Sequence, residues 1–474
     1  MQYMDTEKKK RHQSLKVIFS EAMMVITVII TVVVLALVVS GYWINSDFKV
    51  ERQGMLQISS QPTGADVSID GDTAWLQRTN TSKVLPSGEH VIVLNKEGYD
   101  SWAKTITIKE GLLYRLHYPR LFLKNRVPKK VLDTKDVTAT YISPDHNSMI
   151  LANNTTKWQY LNLREETLTP VSLDISKVFS SVELKKDTKE SIFTGKIEEA
   201  NWDVDATHVL FKVRINEEGA HEWVLLDVKN PEKSLNLNKE FNADFNAVQI
   251  LDNSSNNLMA IQNGDLRKVD VPGRLISAVI VEDVISFDHF LDEIVFTAKR
   301  AENAEHPYYV GYFKINSDEI TELISAPSRV HSVISKFYDQ EYCTVLSGDS
   351  VKVYTKEDLA EHSKYKLSFK PKHIKVGHNG EFIIMYDGTK IASLDMEAET
   401  IREWQADGKS FHWIDNDMIY SINNNDLIVY DFDGLNKRAL AKNVSDRFSA
   451  GIVENKWLYY FSDDHLMREW IIEH

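Results

Sequence analysis

The side chains able to do chemistry are scattered rather than clustered. No H-E-x-x-H pair, G-x-S-x-G elbow, phosphate-cradling Gly-Lys loop or dinucleotide fingerprint occurs in the 474 residues. His373 and His378 stand on a strand and its turn with no third ligand near them in the chain, so they read as ordinary turn or core histidines. Asp415-Asn416-Asp417 and Asp431-Phe432-Asp433-Gly434 offer the hard oxygens that Ca²⁺ takes. They lack the Glu that closes a calcium loop, and Asx residues dominate hairpin turns for steric reasons, so both runs read as turns. Paired carboxylates could act on a sugar, but the sequence places no two acids at the needed separation. Aromatic faces at Trp158, Tyr160, Trp202, Trp223, Tyr308, Tyr309, Trp404, Trp413, Tyr459 and Tyr460 could stack on sugars; they fall at strand positions, where aromatics also simply fill sheets. The single Cys343 reads as a small buried hydrophobe rather than a nucleophile. The expectation is a chain with no catalytic residue, no metal and no cofactor.

The elements that would position any site are set by composition and pattern. A hydrophobic share of 43% is that of a globular protein, and the length suggests two to four domains. One cysteine excludes a disulfide framework and a Cys-rich zinc module. A net charge of -14 argues against nucleic acid as a partner, because phosphates demand a basic footprint. The basic groups that stand out are local: Lys8, Lys9, Lys10, Arg11 and Lys16 make residues 1–16 a basic leader.

Ala22 to Val39 reads AMMVITVIITVVVLALVV without a charge, and Ser40 to Ile44 can extend it. A bilayer core of about 30 Å needs roughly 20 apolar helical residues, so residues 17–44 are expected to form one transmembrane helix. Tyr42 and Trp43 sit where an aromatic belt would lie, and the leader puts the N-terminus in the cytoplasm and the bulk of the chain outside. A cleaved signal peptide is the rival reading, but its apolar region would be shorter and VVSGYW is a poor cleavage site.

Residues 55–123 alternate with period two and turn about every ten residues, the pattern of a small antiparallel sandwich. Gln61-Pro62-Thr63-Gly64 and Asp70-Gly71 mark its first turns; Pro86-Ser87-Gly88 and Gly98-Tyr99 mark later ones. The stretch resembles the PEGA family, a compact β-sandwich of bacterial and archaeal surface proteins. Its name-giving tetrapeptide stands here as Pro62-Thr63-Gly64-Ala65, followed by Val67-x-Ile69-Asp70-Gly71 and by Gly88, His90, Lys96, Gly98 and Tyr99. Thr63 replaces the usual Glu, and the family's G-x-T-P segment is missing between Gly71 and Leu85. The resemblance implies a fold and a surface location, with Pro62, Gly64, Ala65, Asp70, Gly71, Gly88, Gly98 and Tyr99 as structural motif residues and no catalysis. Arg115, His117, Arg120, Lys124, Arg126, Lys129 and Lys130 follow without an acid; they read either as a neck facing an anionic surface or as a strand and linker with solvated charges.

Residues 131–474 repeat a strand, an Asp or Asn turn, a second apolar strand, a polar turn and a third strand. EANWDVDATHVLFKV (199–213) and SFHWIDNDMIYSINNNDLIVYDFDG (410–434) are two copies. The first turns fall near Asp145, Asp205, Asp252, Asp292, Asp339, Asn379, Asn416 and Asn455, a mean spacing of about 44, one four-stranded propeller blade. The pattern resembles TolB-like and WD-repeat propellers, although the Trp-Asp signature is lacking and Ser143-Pro144-Asp145-His146 replaces the Pro-Asp-Gly box. Eight units are counted; inserts around 165–198 and 300–307 leave seven open. Closure is expected to pair Trp470, Ile471 and Ile472 with an early strand.

The predicted architecture is mainly β: one N-terminal transmembrane helix, a PEGA-like sandwich and a seven- or eight-bladed C-terminal propeller. The expected role is a single-pass extracytoplasmic binding or scaffold protein of the bacterial cell envelope, with an envelope protein or wall glycan on the propeller. An extracytoplasmic sensor subunit and a propeller-type glycan-active enzyme stay as alternatives.

Overall fold

The computed structural model describes residues 3–39, 42–44, 50–185, 190–215, 219–251, 255–300, 305–315, 317, 319–357, 360–377, 380–408 and 411–473. The chain divides into two compact units, Met1–Leu121 and Phe122–His474.

The first unit opens with a helix, Tyr3–Val39. Its stretch Phe19–Leu37 has a mean hydropathy of 2.4 and none of it is buried, so it is long and apolar enough to cross a membrane. Thr27 and Thr31 donate their hydroxyls to the carbonyls of Met23 and Thr27 at 2.8 Å, which satisfies these polar groups inside the apolar rod. The helix takes in the basic leader and stops at Val39, short of the expected Ile44. Tyr42–Ile44 is instead a strand paired with Val50–Arg52, because two aromatics and a β-branched residue favour pleated backbone once a partner strand is present.

Two four-stranded sheets follow. The first has the order Tyr42–Ile44, Val50–Ile58, Thr81–Pro86, with Leu113–Leu116 added parallel to Val50–Ile58. The second has the order Asp72–Arg78, Asp66–Ile69, Gly88–Asn95, Trp102–Ile108. The period-two pattern turns one face of each inward: Leu56, Ile58, Val67, Ile69, Ile92, Leu94, Trp102 and Ile106 are at most 5% exposed. Two strands fill the stretch where the family's G-x-T-P segment is missing, Asp72–Arg78 and Thr81–Pro86.

The second unit contains, among the described residues, eight antiparallel four-stranded sheets in chain order, plus a small hairpin, Val182–Leu184 with Ser191–Phe193, inserted after the first. The first strands of the eight are Ala139–Ile142, Lys196–Trp202, Ala247–Ile250, Val284–Phe290, His331–Phe337, His373–Val376, Phe411–Trp413 and Gly451–Val453. Those of the fourth, fifth and sixth sheets lie against one another in sequence. Second strands are buried on both faces: every residue of Ser148–Ala152 is buried, as are the first four of Phe382–Tyr386. Each apolar cluster is shared between neighbouring sheets, as where Trp158 and Ile150 meet Phe211 and Val224. The eighth sheet takes its fourth strand, Lys129–Asp133, from the start of the unit, which ties the two ends of the ring together. This is an eight-bladed β-propeller.

The closure differs from the expected residues. His465, Leu466, Met467 and Arg468 pair with Lys129–Asp133, whereas Trp470 pairs with Trp457 and Ile471 is buried between blades. Ile471 still reaches the start of the unit, its carbonyl accepting from the Leu123 amide at 3.1 Å. The basic stretch is therefore not one solvated neck. Lys129 and Lys130 lie in the closing strand, and half-buried Arg126 pairs with buried Glu469 at 3.4 Å and donates to the Leu440 carbonyl at 2.8 Å.

Candidate functional site

The first strands of the blades surround a cavity of about 920 Å³. Six of the eight contribute residues of that strand or the turn that follows, and the eighth contributes Ser449 and Ala450 just before its first strand, so the cavity is the channel of the propeller. Of the eight anticipated turn positions, Asp145, Asp205, Asp292, Asp339, Asn416 and Asn455 lie between the first and second strands of their blades. Asp252 and Asn379 lie outside the described residues.

Much of the polar wall is engaged in building the ring. Asp145 accepts from the Ser143 hydroxyl at 2.5 Å, the Asn147 amide at 3.1 Å and the Asn147 side chain at 2.9 Å. Partial burial pushes its carboxyl up, but these hydrogen bonds outweigh burial and hold it below the usual carboxylate range. His146, where the Pro-Asp-Gly box would put glycine, adopts a left-handed φ of 56°. Asp288 on the fourth blade accepts from the Ile334 amide of the fifth at 3.2 Å. Gln249 on the third reaches the Phe287 carbonyl at 3.1 Å and the His289 ring at 2.9 Å. The Tyr420 hydroxyl accepts from the Ala450 amide at 3.1 Å, and burial pushes its phenol up to about 12.

The remaining lining gathers on the second, sixth and seventh blades: Asn201 and Trp202, Lys375, and His412, Trp413 and Asn416. Among the described residues the buried indole Nε1 of Trp202 has no acceptor, an unmatched donor in the channel wall. His412 is an exposed residue that opens onto the channel. Desolvation first, then the Lys375 ammonium, hold its imidazole below the ordinary value. His373 stacks on Tyr386 at 4.9 Å rather than pairing with another ligand, and His378 lies outside the described residues.

The structure sorts the other candidates. Trp158, Trp223, Tyr459 and Tyr460 are buried between blades. Trp404 donates to the Ser393 hydroxyl at 2.8 Å, Tyr160 meets the Ser148 hydroxyl at 2.9 Å, and Tyr309 carries the Arg300 guanidinium on its face at 4.3 Å. Of the nominated aromatics, only Trp202 and Trp413 line the channel. Asp415 accepts from the amides of Asp417 and Met418 at 2.9 and 2.7 Å, and Asp433 from Leu435 at 3.1 Å, the bonds of Asx turns. Cys343 is buried among Val295, Ile334 and Val345, and burial pushes its thiol far up.

In the sandwich the motif residues hold turns together. Gly64 and Gly71 have φ of 76° and 86°, where a side chain would be strained. Asp70 accepts from the Val91 amide at 2.8 Å and meets the His90 ring at 2.7 Å; these bonds hold its carboxyl below the usual range. Ala65 donates its amide to the Thr79 hydroxyl at 3.0 Å. Lys96 reaches the Thr63 carbonyl at 3.0 Å, beside the turn where the Tyr99 amide donates to the Lys96 carbonyl at 3.0 Å. Pro62 and Gly98 lie in turns, and Gly88 begins a strand. The Asp70–His90 clasp joins the Asp70-Gly71 turn to the strand after Gly88, a pairing that neither local pattern displays.

Comparison with known proteins agrees with the first of these two architectures. Residues 53–120 match the PEGA domain. Among solved structures the chain is similar to the computationally designed Ika8 protein, with 10% identity, a TM-score of 0.42, and coverage of 72% of this chain and 98% of that one. It is also similar to the oligogalacturonate lyase of Vibrio parahaemolyticus, with 12% identity, a TM-score of 0.38 and coverage of 62% and 96%. A third is the β-propeller domain of Cps50 from Myceliophteria thermophila, with 9% identity, a TM-score of 0.38 and coverage of 74% and 100%. No curated protein matches the sequence. Residues 53–120 are thus a PEGA domain, and the second unit is a β-propeller by its own sheet topology.

Proposed function

We propose that the chain is an extracytoplasmic binding protein of the bacterial cell envelope, held to the membrane by its N-terminal helix, with the channel as the receptor for a wall glycan. The carrying observation is the channel wall itself: Trp202 and Trp413 in one cavity with Asn201, Asn416 and Lys375. Aromatic faces with amide and ammonium donors are the groups that hold sugar rings. Binding is favoured over hydrolysis because the lining carboxylate Asp145 accepts hydrogen bonds within its own turn and Asp288 accepts from the Ile334 amide of the next blade. Membrane anchorage is supported by the exposed apolar stretch Phe19–Leu37 and the basic leader before it.

Full-length protein in nanodiscs, titrated with soluble cell-wall glycan fragments by calorimetry, is expected to bind, and Trp202→Ala or Trp413→Ala to weaken binding at least tenfold. Equal affinity in both variants would remove the channel from the account. Catalytic turnover of the glycan, lost in Asp288→Asn, would replace binding by hydrolysis. For topology, protease added to intact cells is expected to remove the propeller, and a propeller left intact would refute the outward orientation.

A further inference from the structure

The outer face of the first sandwich sheet carries an apolar row that the fold leaves uncovered. Met55 pairs across the sheet with Val84 on one side and Leu113 on the other. Residues directly opposite in a ladder share a face. The three are 44%, 50% and 37% exposed, and the adjacent Leu112 is 57% exposed. The next row on that face is polar: Gln57, with Ser82 and Arg115 as its partners. The inner face is already filled by Leu56, Ile58, Leu85 and Leu116, so the outer row is surplus to the sandwich core.

Its position along the chain says what covers it. Only Ser40 and Gly41 separate the helix end, Val39, from the strand that begins at Tyr42. Three Cα steps span at most about 11 Å. Tyr42 lies opposite Arg52, three residues along the strand from Met55, which adds about 10 Å. With the step of about 5 Å between the two strands, the row sits within roughly 25 Å of the end of the apolar helix, where a bilayer's headgroup layer would begin.

We propose that the Leu113–Met55–Val84 row, with Leu112, is a membrane-docking face that lays the sandwich sheet onto the lipid interface beside the exit of the helix. The inference rests on the anchoring role proposed above. Buried Cys343 leaves an introduced cysteine as the reactive thiol. Met55→Cys, Val84→Cys, Leu113→Cys, Val91→Cys and Val33→Cys forms of the full chain, each carrying an NBD label, would be reconstituted in vesicles of phosphatidylethanolamine and phosphatidylglycerol. Val91 is an exposed residue of the other sheet, and Val33 lies within the apolar helix. Labels at 55, 84 and 113 are expected to shift to the blue and to be quenched at least twofold by lipids spin-labelled near the headgroup, while the label at 91 stays aqueous. Labels at 55, 84 and 113 as aqueous as that at 91 would overturn the docking face. A blue shift that lipid quenchers leave unchanged, with cross-linking between position-55 cysteines, would overturn it in favour of a second copy. A label at 33 that lipid quenchers fail to reach would instead remove the anchor itself.

Discussion

The sandwich and the propeller are built from the same element, a short antiparallel strand, and bury it differently. Along Gly88–Asn95 in the sandwich, buried and less buried residues alternate, with His90, Ile92 and Leu94 inside. Along Ser148–Ala152 in the first blade every residue is buried. A sandwich sheet has one partner and so one inner face; a blade has a neighbour on each side and so two. The difference teaches where tolerance lies: every second residue of a sandwich strand is free to change, whereas the middle strands of a blade have no free side. It also makes the exposed Met55, Val84 and Leu113 row conspicuous, since the sandwich alone gives it no partner.

The largest expected effect is in the doubly covered region. Trp158→Ala empties a site packed by Phe179, Phe193 and Phe211 and is expected to cost about 3–5 kcal/mol by chemical denaturation. A loss below about 1 kcal/mol would mean that the blades do not pack as a continuous core. Next is the closure. Arg126→Ala leaves buried Glu469 without its cation and should cost about 3 kcal/mol, with most of the loss recovered in the Arg126→Met, Glu469→Leu double variant. An unchanged denaturation midpoint in the single variant would show that the ring closes without this pair.

A smaller, pH-dependent effect separates the regions further. The imidazoles of His331 and His412, on the first strands of the fifth and seventh blades, are held below the ordinary histidine value of 6.5, in both by desolvation first. Arg329 and His373 add to this at His331, and Lys375 at His412. The unfolded chain then binds more protons as the pH falls through 6.5, so propeller stability declines from there towards the folded-state values. Denaturation midpoints at neutral and mildly acidic pH should show the decline, and a His331→Gln, His412→Gln variant should flatten it; an unaltered slope would exclude these two groups. In the sandwich, Asp70 runs at lower pH: its depressed carboxyl contributes stability above 3.8 that is lost as the pH falls through the folded value. The smallest effect is Val91→Lys on the open side of a sandwich strand, expected within about 0.5 kcal/mol of wild type in the same assay. A loss of several kcal/mol there would break the contrast between one covered face and two.

Local pattern carried far in this chain. The turn residues Asp145, Asp205, Asp292, Asp339, Asn416 and Asn455 marked the first turn of their blades because a hairpin turn makes the same steric demand wherever it stands. Their spacing gives eight units, with seven left open by the inserts, and the sheets number eight among the described residues. What was not legible depends on contacts distant in sequence. The closing strand Lys129–Asp133 reads as part of a basic stretch until His465–Arg468 lies beside it, more than 300 residues later. The same applies to the channel: nothing local separates Trp202 and Trp413, which line it, from Trp158 and Trp223, which are buried.

The sequence by itself determined the apolar helix, the period-two sandwich and the blade repeat, because hydropathy and turn sterics act over a few residues. Only the tertiary structure decided where the helix yields to a strand, which residues close the ring and which aromatics face the channel. Those outcomes are set by which surface each residue meets after the chain returns on itself, and chain order does not encode that meeting at short range.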